Sequence, residues 1–144
     1  MRKIICTLAL GALLCGSAWA ADKTIKQRGC ELSVPETWTV ESKGGEANSP
    51  DKKLTAIVGQ AGFFSVESFA DAKKMAKGAN EGNKVTKETA TELELEGPSM
   101  FDKPHVYRVI PTGAKTFCVG EVMYSGAAAL PEARKVARTL KAAK

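Results

Sequence analysis

Between Thr91 and Tyr124 three strand-like segments follow one another so closely that only an antiparallel arrangement can join them. Thr91 to Glu96 alternates leucine with glutamate, His105 to Pro111 is rich in β-branched and aromatic residues, and Lys115 to Tyr124 continues in the same manner. Gly97-Pro98 and Thr112-Gly113 mark the turns between them. A parallel pairing would need a crossover of about a dozen residues or more, usually a helix, and neither connection has room for one. This stretch is therefore expected to be a meander.

The same reading places strands earlier in the chain. Cys30, Leu32 and Val34 alternate with Glu31 and Ser33, and Pro35-Glu36 predicts a turn into Thr37 to Glu41, so this region is expected to be a hairpin. Ser42 to Lys53, rich in Gly, Ser, Asn, Pro and Lys, predicts an exposed loop, and strand character returns at Leu54 to Gly59 and at Phe63-Phe64. Ser68 and Asp71 form a capping box in its short-acid form, opening a helix on which Phe69, Ala72 and Ala76 share a face with Met75 beside them. Gly78 is its expected stop, and Ala79 to Lys84 a polar link. Pro131 starts a last helix, where Ala133, Val136, Ala137 and Leu140 make an apolar stripe. The order strands, helix, strands, helix predicts an α+β fold: one antiparallel sheet packed by two helices as an α/β/α-type sandwich, in a single domain over 21–144.

The first twenty residues read differently. Arg2 and Lys3 precede an apolar run of 12 residues from Ile4 to Cys15, and Ala18-Trp19-Ala20 offers a small-x-small cleavage site, so 1–20 is expected to be a Sec-type signal peptide. The run is well short of the roughly 20 residues that span a bilayer, and no second span follows, so no transmembrane segment is expected after cleavage. The product is expected in the periplasm or secreted. Losing Arg2 and Lys3 takes Lys plus Arg from 21 to 19 against 16 acids, and the net charge from +5 to +3. That is too mild a balance to indicate a nucleic-acid partner. Cys6 and Cys15 leave with the signal, so Cys30 and Cys118 remain, and in an oxidising compartment two thiols are expected to form one disulfide. A metal site or a redox-active pair is the alternative use, but one histidine and no CxxC spacing argue against both.

The stretch Leu32-Ser33-Val34-Pro35 followed by Trp38, then the helix at Ser68, the meander and the terminal helix, resembles the PsbP and Mog1-type sandwich of small exported bacterial proteins. Such proteins often carry glycine before the tryptophan, where this chain has Thr37. The resemblance covers nearly the whole mature chain and implies a binding or assembly factor without catalysis. It transfers no functional residue.

Four groups of residues invite a chemical reading. His105 is the lone histidine and has Asp102 near it in sequence, but a base and its orienter need a nucleophile, and Ser99 and Ser125 read as turn serines. Glu92, Glu94 and Glu96 line one strand face, suited to calcium or to a solvated face partnered by lysines; a straight strand spaces them about 7 Å apart, whereas calcium sites gather oxygens in a tight loop. Arg134, Arg138 and Lys141 fall at i, i+4 and i+7 opposite the apolar stripe, a possible basic surface for lipid head groups or an acidic protein, or simply the wet face of an amphipathic helix. Phe63-Phe64 and Phe101 stand where loops meet strands, as interface anchors or as core.

None of these forms a reactive constellation. The sequence therefore predicts no enzyme, no cofactor, no metal and no catalytic residue, and instead a non-catalytic exported binding or accessory protein that engages another exported or envelope protein. Two alternatives remain open: an immunity or inhibitor protein against a secreted toxin enzyme, and a small hydrolase using His105.

Overall fold

The computed structural model describes residues 22–60 and 66–144; the expected signal peptide and Phe63-Phe64 lie outside the described residues. The described residues open with a hairpin that sequence patterning places too late. Strand β1 (Asp22–Gln27) pairs antiparallel with β2 (Cys30–Pro35) across Arg28-Gly29. Both turn residues have positive φ, 48° and 78°, the backbone that a two-residue hairpin requires and that glycine supplies without strain. Thr37 to Glu41 does not fold back on β2. Instead β3 (Thr39–Val40) pairs with β4 (Glu46–Asn48), inside the segment expected to be a loop, and β4 pairs with β5 (Leu54–Gln60).

Helix α1 (Phe69–Ala79) starts as its capping box predicts, with the Ser68 hydroxyl accepting from the Asp71 amide at 3.2 Å. It runs past Gly78 and ends at Asn80, whose side-chain amide donates to the Ala76 carbonyl at 2.8 Å. After it come β7 (Leu93–Pro98), β8 (Pro104–Pro111) and β9 (Phe117–Tyr124), paired consecutively and antiparallel as the expected meander, and before them β6 (Lys84–Glu88), a strand not expected from the sequence, which pairs antiparallel with β7. Helix α2 (Leu130–Ala137) follows a 3-10 turn, and the chain ends in β10 (Lys141–Ala142), which pairs with β2.

Two sheets result: seven strands in the order β3-β4-β5-β9-β8-β7-β6, and three in the order β1-β2-β10. Each face of the large sheet carries its own core. On one face Ala56, Val58, Val106, Cys118 and Val122 meet Ile25, Leu32 and Val34 of the small sheet and Ala133, Val136 and Ala137 of α2, with Trp38 buried among them. On the other, Leu93, Leu95, Val109 and Phe117 pack under Ala72 and Ala76 of α1.

The expectation of two helices flanking one sheet is thus corrected. The molecule is mostly sheet, and the small sheet covers much of the face that α2 was expected to cover. The reason is reach. Eight residues of helix extend about 12 Å, whereas seven strands spaced about 4.8 Å apart are roughly 29 Å across.

Cys30 and Cys118 lie at disulfide distance within this first core, Cα atoms 5.6 Å apart and 88 residues apart in sequence. The pair ties β2 of the small sheet to β9 at the centre of the large one.

Candidate functional site

Where α1 stops, part of its face of the large sheet stays open. The register sets Glu46, Ile57, Glu121 and Tyr107 side by side across β4, β5, β9 and β8, with Leu95 of β7 next in the row. Cross-strand neighbours share a face, so this row forms the floor of a trough. Leu95 lies under α1, whereas Ile57, Tyr107, Val119 and Glu121, with Gln27 and Gly59, line an open groove of about 290 Å³. A smaller cavity of about 110 Å³ continues from it between the end of α1 and the sheet, lined by Ala79, Asn80, Met100, His105, Tyr107 and Glu121.

His105 is the chemical centre of this region. Its side chain is 1 % exposed, and its Nδ1 lies 2.6 Å from Glu121 Oε1. Because an ionised carboxylate only accepts hydrogen bonds, the proton of this bond belongs to Nδ1. Nε2 is buried and has no hydrogen-bond partner. The Tyr107 ring lies 5.7 Å from the imidazole, centroid to centroid. Burial, with the Glu121 charge adding to it, pushes the Tyr107 phenol up to about 12, so it keeps its proton at any ordinary pH.

The partner expected for His105 was Asp102, and the structure supplies Glu121 instead. Asp102 sits exposed in the β7–β8 turn at φ 57°, its amide donating to the Ser99 carbonyl at 3.3 Å. Strand alternation and sixteen residues of separation hid the pairing, because which strand neighbours which is a tertiary property. Ser99 is buried and its hydroxyl accepts from the Phe101 amide, while Ser125 is exposed; neither is bonded to the imidazole.

The other face holds a second polar assembly, built from two groups read separately in the sequence. Arg134 makes paired bonds to Glu96 at 2.6 and 2.8 Å, and Arg138 to Glu94 at 3.0 and 2.8 Å. Arg108 bonds Glu92 at 2.6 Å and donates to the Arg138 carbonyl, also at 2.6 Å. The glutamates expected on a solvated face or around calcium are therefore held by arginines, with Lys87 of the neighbouring strand also pairing with Glu92 as the lysine-partnered reading expected, and Glu94 is fully buried. Burial alone would raise the Glu94 carboxyl, but the Arg138 hydrogen bond and charge, helped by Thr86, hold it below the ordinary glutamate value. The residues read as a possible basic surface are each ion-paired while staying part-exposed. Arg134 and Arg138 turn onto β7, and Lys141, beyond the helix in β10, pairs with Glu31 at 2.9 Å. The signal was present in the sequence as two complementary spacings, i, i+2 on a strand and i, i+4 on a helix, which strand and helix geometry bring to a common rise of about 6–7 Å.

Phe101, for which core packing was the simpler expectation, is 57 % exposed, and Met100 beside it is 86 % exposed.

No family model matches the chain, and no curated protein matches it by sequence. Its fold is similar to that of cyanobacterial PsbP (CyanoP) from Synechocystis sp. PCC 6803, solved in solution, with a TM-score of 0.50 and 15 % identity over 93 % of this chain and 99 % of that one. The PsbP-type resemblance read from the sequence therefore holds at the level of the fold.

Proposed function

We propose that this is a non-catalytic accessory protein of the periplasm or cell exterior, exported by cleavage after Ala20, which engages another exported or envelope protein through the tip of the β7–β8 hairpin. The observation that carries the reading is the exposed pair Met100 and Phe101, 86 % and 57 % accessible. They are not on a loose loop. The Ser99 amide donates to the Lys103 carbonyl at 2.8 Å and the Ser99 hydroxyl accepts from Phe101 at 3.1 Å, so the turn is held on both sides. A large aromatic presented on a preorganised turn loses little conformational entropy on docking and fills a partner's pocket well. The PsbP-type fold is compatible with such a role.

The test is a pull-down from envelope extract with the mature protein and its Phe101→Ser variant as paired baits. A species retained by the first and lost by the second, with unchanged thermal unfolding of both, is the expected result. Identical retention by both baits defeats the proposal. Mass spectrometry of the exported product, expected to begin at Ala21, tests the export half separately.

A further inference from the structure

Beside the row that begins with Glu46 and Ile57, the open face of the large sheet carries a second, more polar one. The register sets Thr39, Asn48 and Thr55 side by side across β3, β4 and β5. They line a cavity of about 490 Å³ together with Lys52 and Lys103. The two lysines come from separate turns: Lys52 from the β4–β5 connection, and Lys103 from the β7–β8 turn that presents Phe101 two residues earlier.

Among the described residues neither of these ammonium groups has a hydrogen bond or an ion pair. The acid next to Lys52 does not neutralise it, because Asp51 accepts from the Ser49 hydroxyl at 2.7 Å and from the Lys53 amide at 3.1 Å. Glu41 is the only carboxylate among the described lining residues, and it accepts from the Asn48 side-chain amide at 3.2 Å. Two like charges sharing one cavity repel, and an anion beside them offsets that repulsion. The backbone adds a second observation. Lys52 has φ 57°, and Lys103 follows Asp102, also at 57°. Left-handed backbone costs stability in a residue with a Cβ and persists where the surroundings fix it, which happens most often at binding sites. At Lys52 the fixing is visible: its amide donates to the Ser49 carbonyl at 2.9 Å, and the hydroxyl of the buried Ser49 accepts from the Leu54 amide at 3.0 Å.

We propose that the partner which seats Phe101 carries an acidic segment beside its apolar pocket, and that Lys52 and Lys103 receive its carboxylates in this cavity. This rests on the docking turn proposed above and adds the partner's chemistry to it. The lining sets the class of ligand. Pockets for small organic molecules are mostly apolar and aromatic, whereas Pro50 is the one apolar residue among those described here. Phosphate sites use arginine forks or helix N-termini, and the described lining has neither. Lysines at the rim of a docking surface steer an oppositely charged partner and fix its register. Because Lys103 belongs to the same turn as Phe101, whose Ser99 amide donates to the Lys103 carbonyl, one partner surface meets both.

The experiment is a titration of the mature protein at low salt, followed in proton–nitrogen spectra. Acetyl-tetraglutamate amide is the probe, with acetyl-tetralysine amide and inorganic phosphate as comparisons. Saturable shifts of the Asn48, Lys52, Thr55 and Lys103 amides are expected with the glutamate peptide alone. Binding should weaken at least threefold in Lys52→Gln and in Lys103→Gln, and at least tenfold in the double variant. Both lysines are exposed, so thermal unfolding of the variants should match that of the wild type. No saturable shift, full binding by the double variant, or equally tight binding of phosphate would each overturn the proposal. The envelope pull-down separates it from the docking turn. A species lost by Phe101→Ser but held by the double lysine variant removes the acidic-segment assignment and keeps the turn. One held by Phe101→Ser but lost by the double variant removes the turn and keeps the cavity as the acid-binding site. Loss by both is the expected result.

Discussion

The two faces of the seven-stranded sheet are built to different specifications. One is sealed: the small sheet, α2, the Cys30–Cys118 pair and three arginine–glutamate contacts close over it. The other is covered by α1 only towards β7 and β8, and leaves a trough over Ile57, Tyr107 and Glu121. Both faces hold buried charge, and they treat it oppositely. On the sealed face each buried carboxylate finds a guanidinium with matched geometry. On the open face Glu121 meets a single imidazole, whose far nitrogen remains unpaired. Satisfied networks hold elements together, whereas a partly satisfied one carries the cost of its unpaired buried group.

Removing the covalent tie should produce the largest effect that breaks this contrast. Cys30→Ser with Cys118→Ser is expected to destabilise the protein by about 2–5 kcal/mol, as for a native disulfide closing a long loop, measured by denaturant unfolding against the oxidised wild type. Unchanged stability would show that the sealed face does not depend on the link.

Next comes the buried rung of the ladder. Glu94→Ala is expected to lose about 1–3 kcal/mol, at the lower end because the half-exposed Arg138 can turn to water. The same contact has a pH signature. The folded pKa of Glu94 lies below its unfolded value, and Glu92 is lowered as well, with Lys87 as the main cause and Arg108 helping against the cost of burial. Their stabilisation is therefore full above the ordinary carboxylate range of about 4–4.5 and is lost as pH falls through the lower folded values. Acid titration followed by circular dichroism should show an unfolding step that Glu94→Ala makes shallower. An identical acid limb in both proteins would remove the ladder from the account.

Two glycines then compare the faces directly. A Cβ at Gly120 would stand 3.1 Å from Leu32 Cδ1 and 3.3 Å from Leu140 Cδ1, whereas one at Gly59 would meet only Gln27 Oε1, at 3.5 Å. Gly120→Ala is expected to cost about 1–3 kcal/mol by overpacking. Gly59→Ala is expected to shift stability by less than about 0.5 kcal/mol, and thermal melts of the pair decide it. Equal costs would mean that the open face is packed as tightly as the sealed one.

Much of the architecture was legible because it repeats a local rule. The meander, the capping box at Ser68 and the buried stripe Ala133, Val136 and Ala137 follow from alternation, capping and helical spacing, whereas Leu140, expected in the same helical stripe, is buried beyond the end of α2. The elements that escaped lack those signals. In β1 Ile25 alone is buried, and β6 is exposed along its whole length at the sheet edge, so neither alternates. Their strand character comes from pairing with neighbours. Of the candidate site, His105 was visible as the single histidine, but its partner was not, since Asp102 is near in sequence and Glu121 near only in the sheet.

What the sequence by itself determined is the local and the compositional: antiparallel strands joined by short turns, two helices with one apolar face each, and Cys30 and Cys118 as the two cysteines of 21–144. What only the tertiary structure decided is which partner each surface meets. The arginines of the last helix and the glutamates of β7 each look solvent-bound alone, and together they form an interface. The physical reason is that helix and strand periodicity determine which residues share a face, whereas the charge facing them comes from register and packing across tens of residues, which no local pattern encodes.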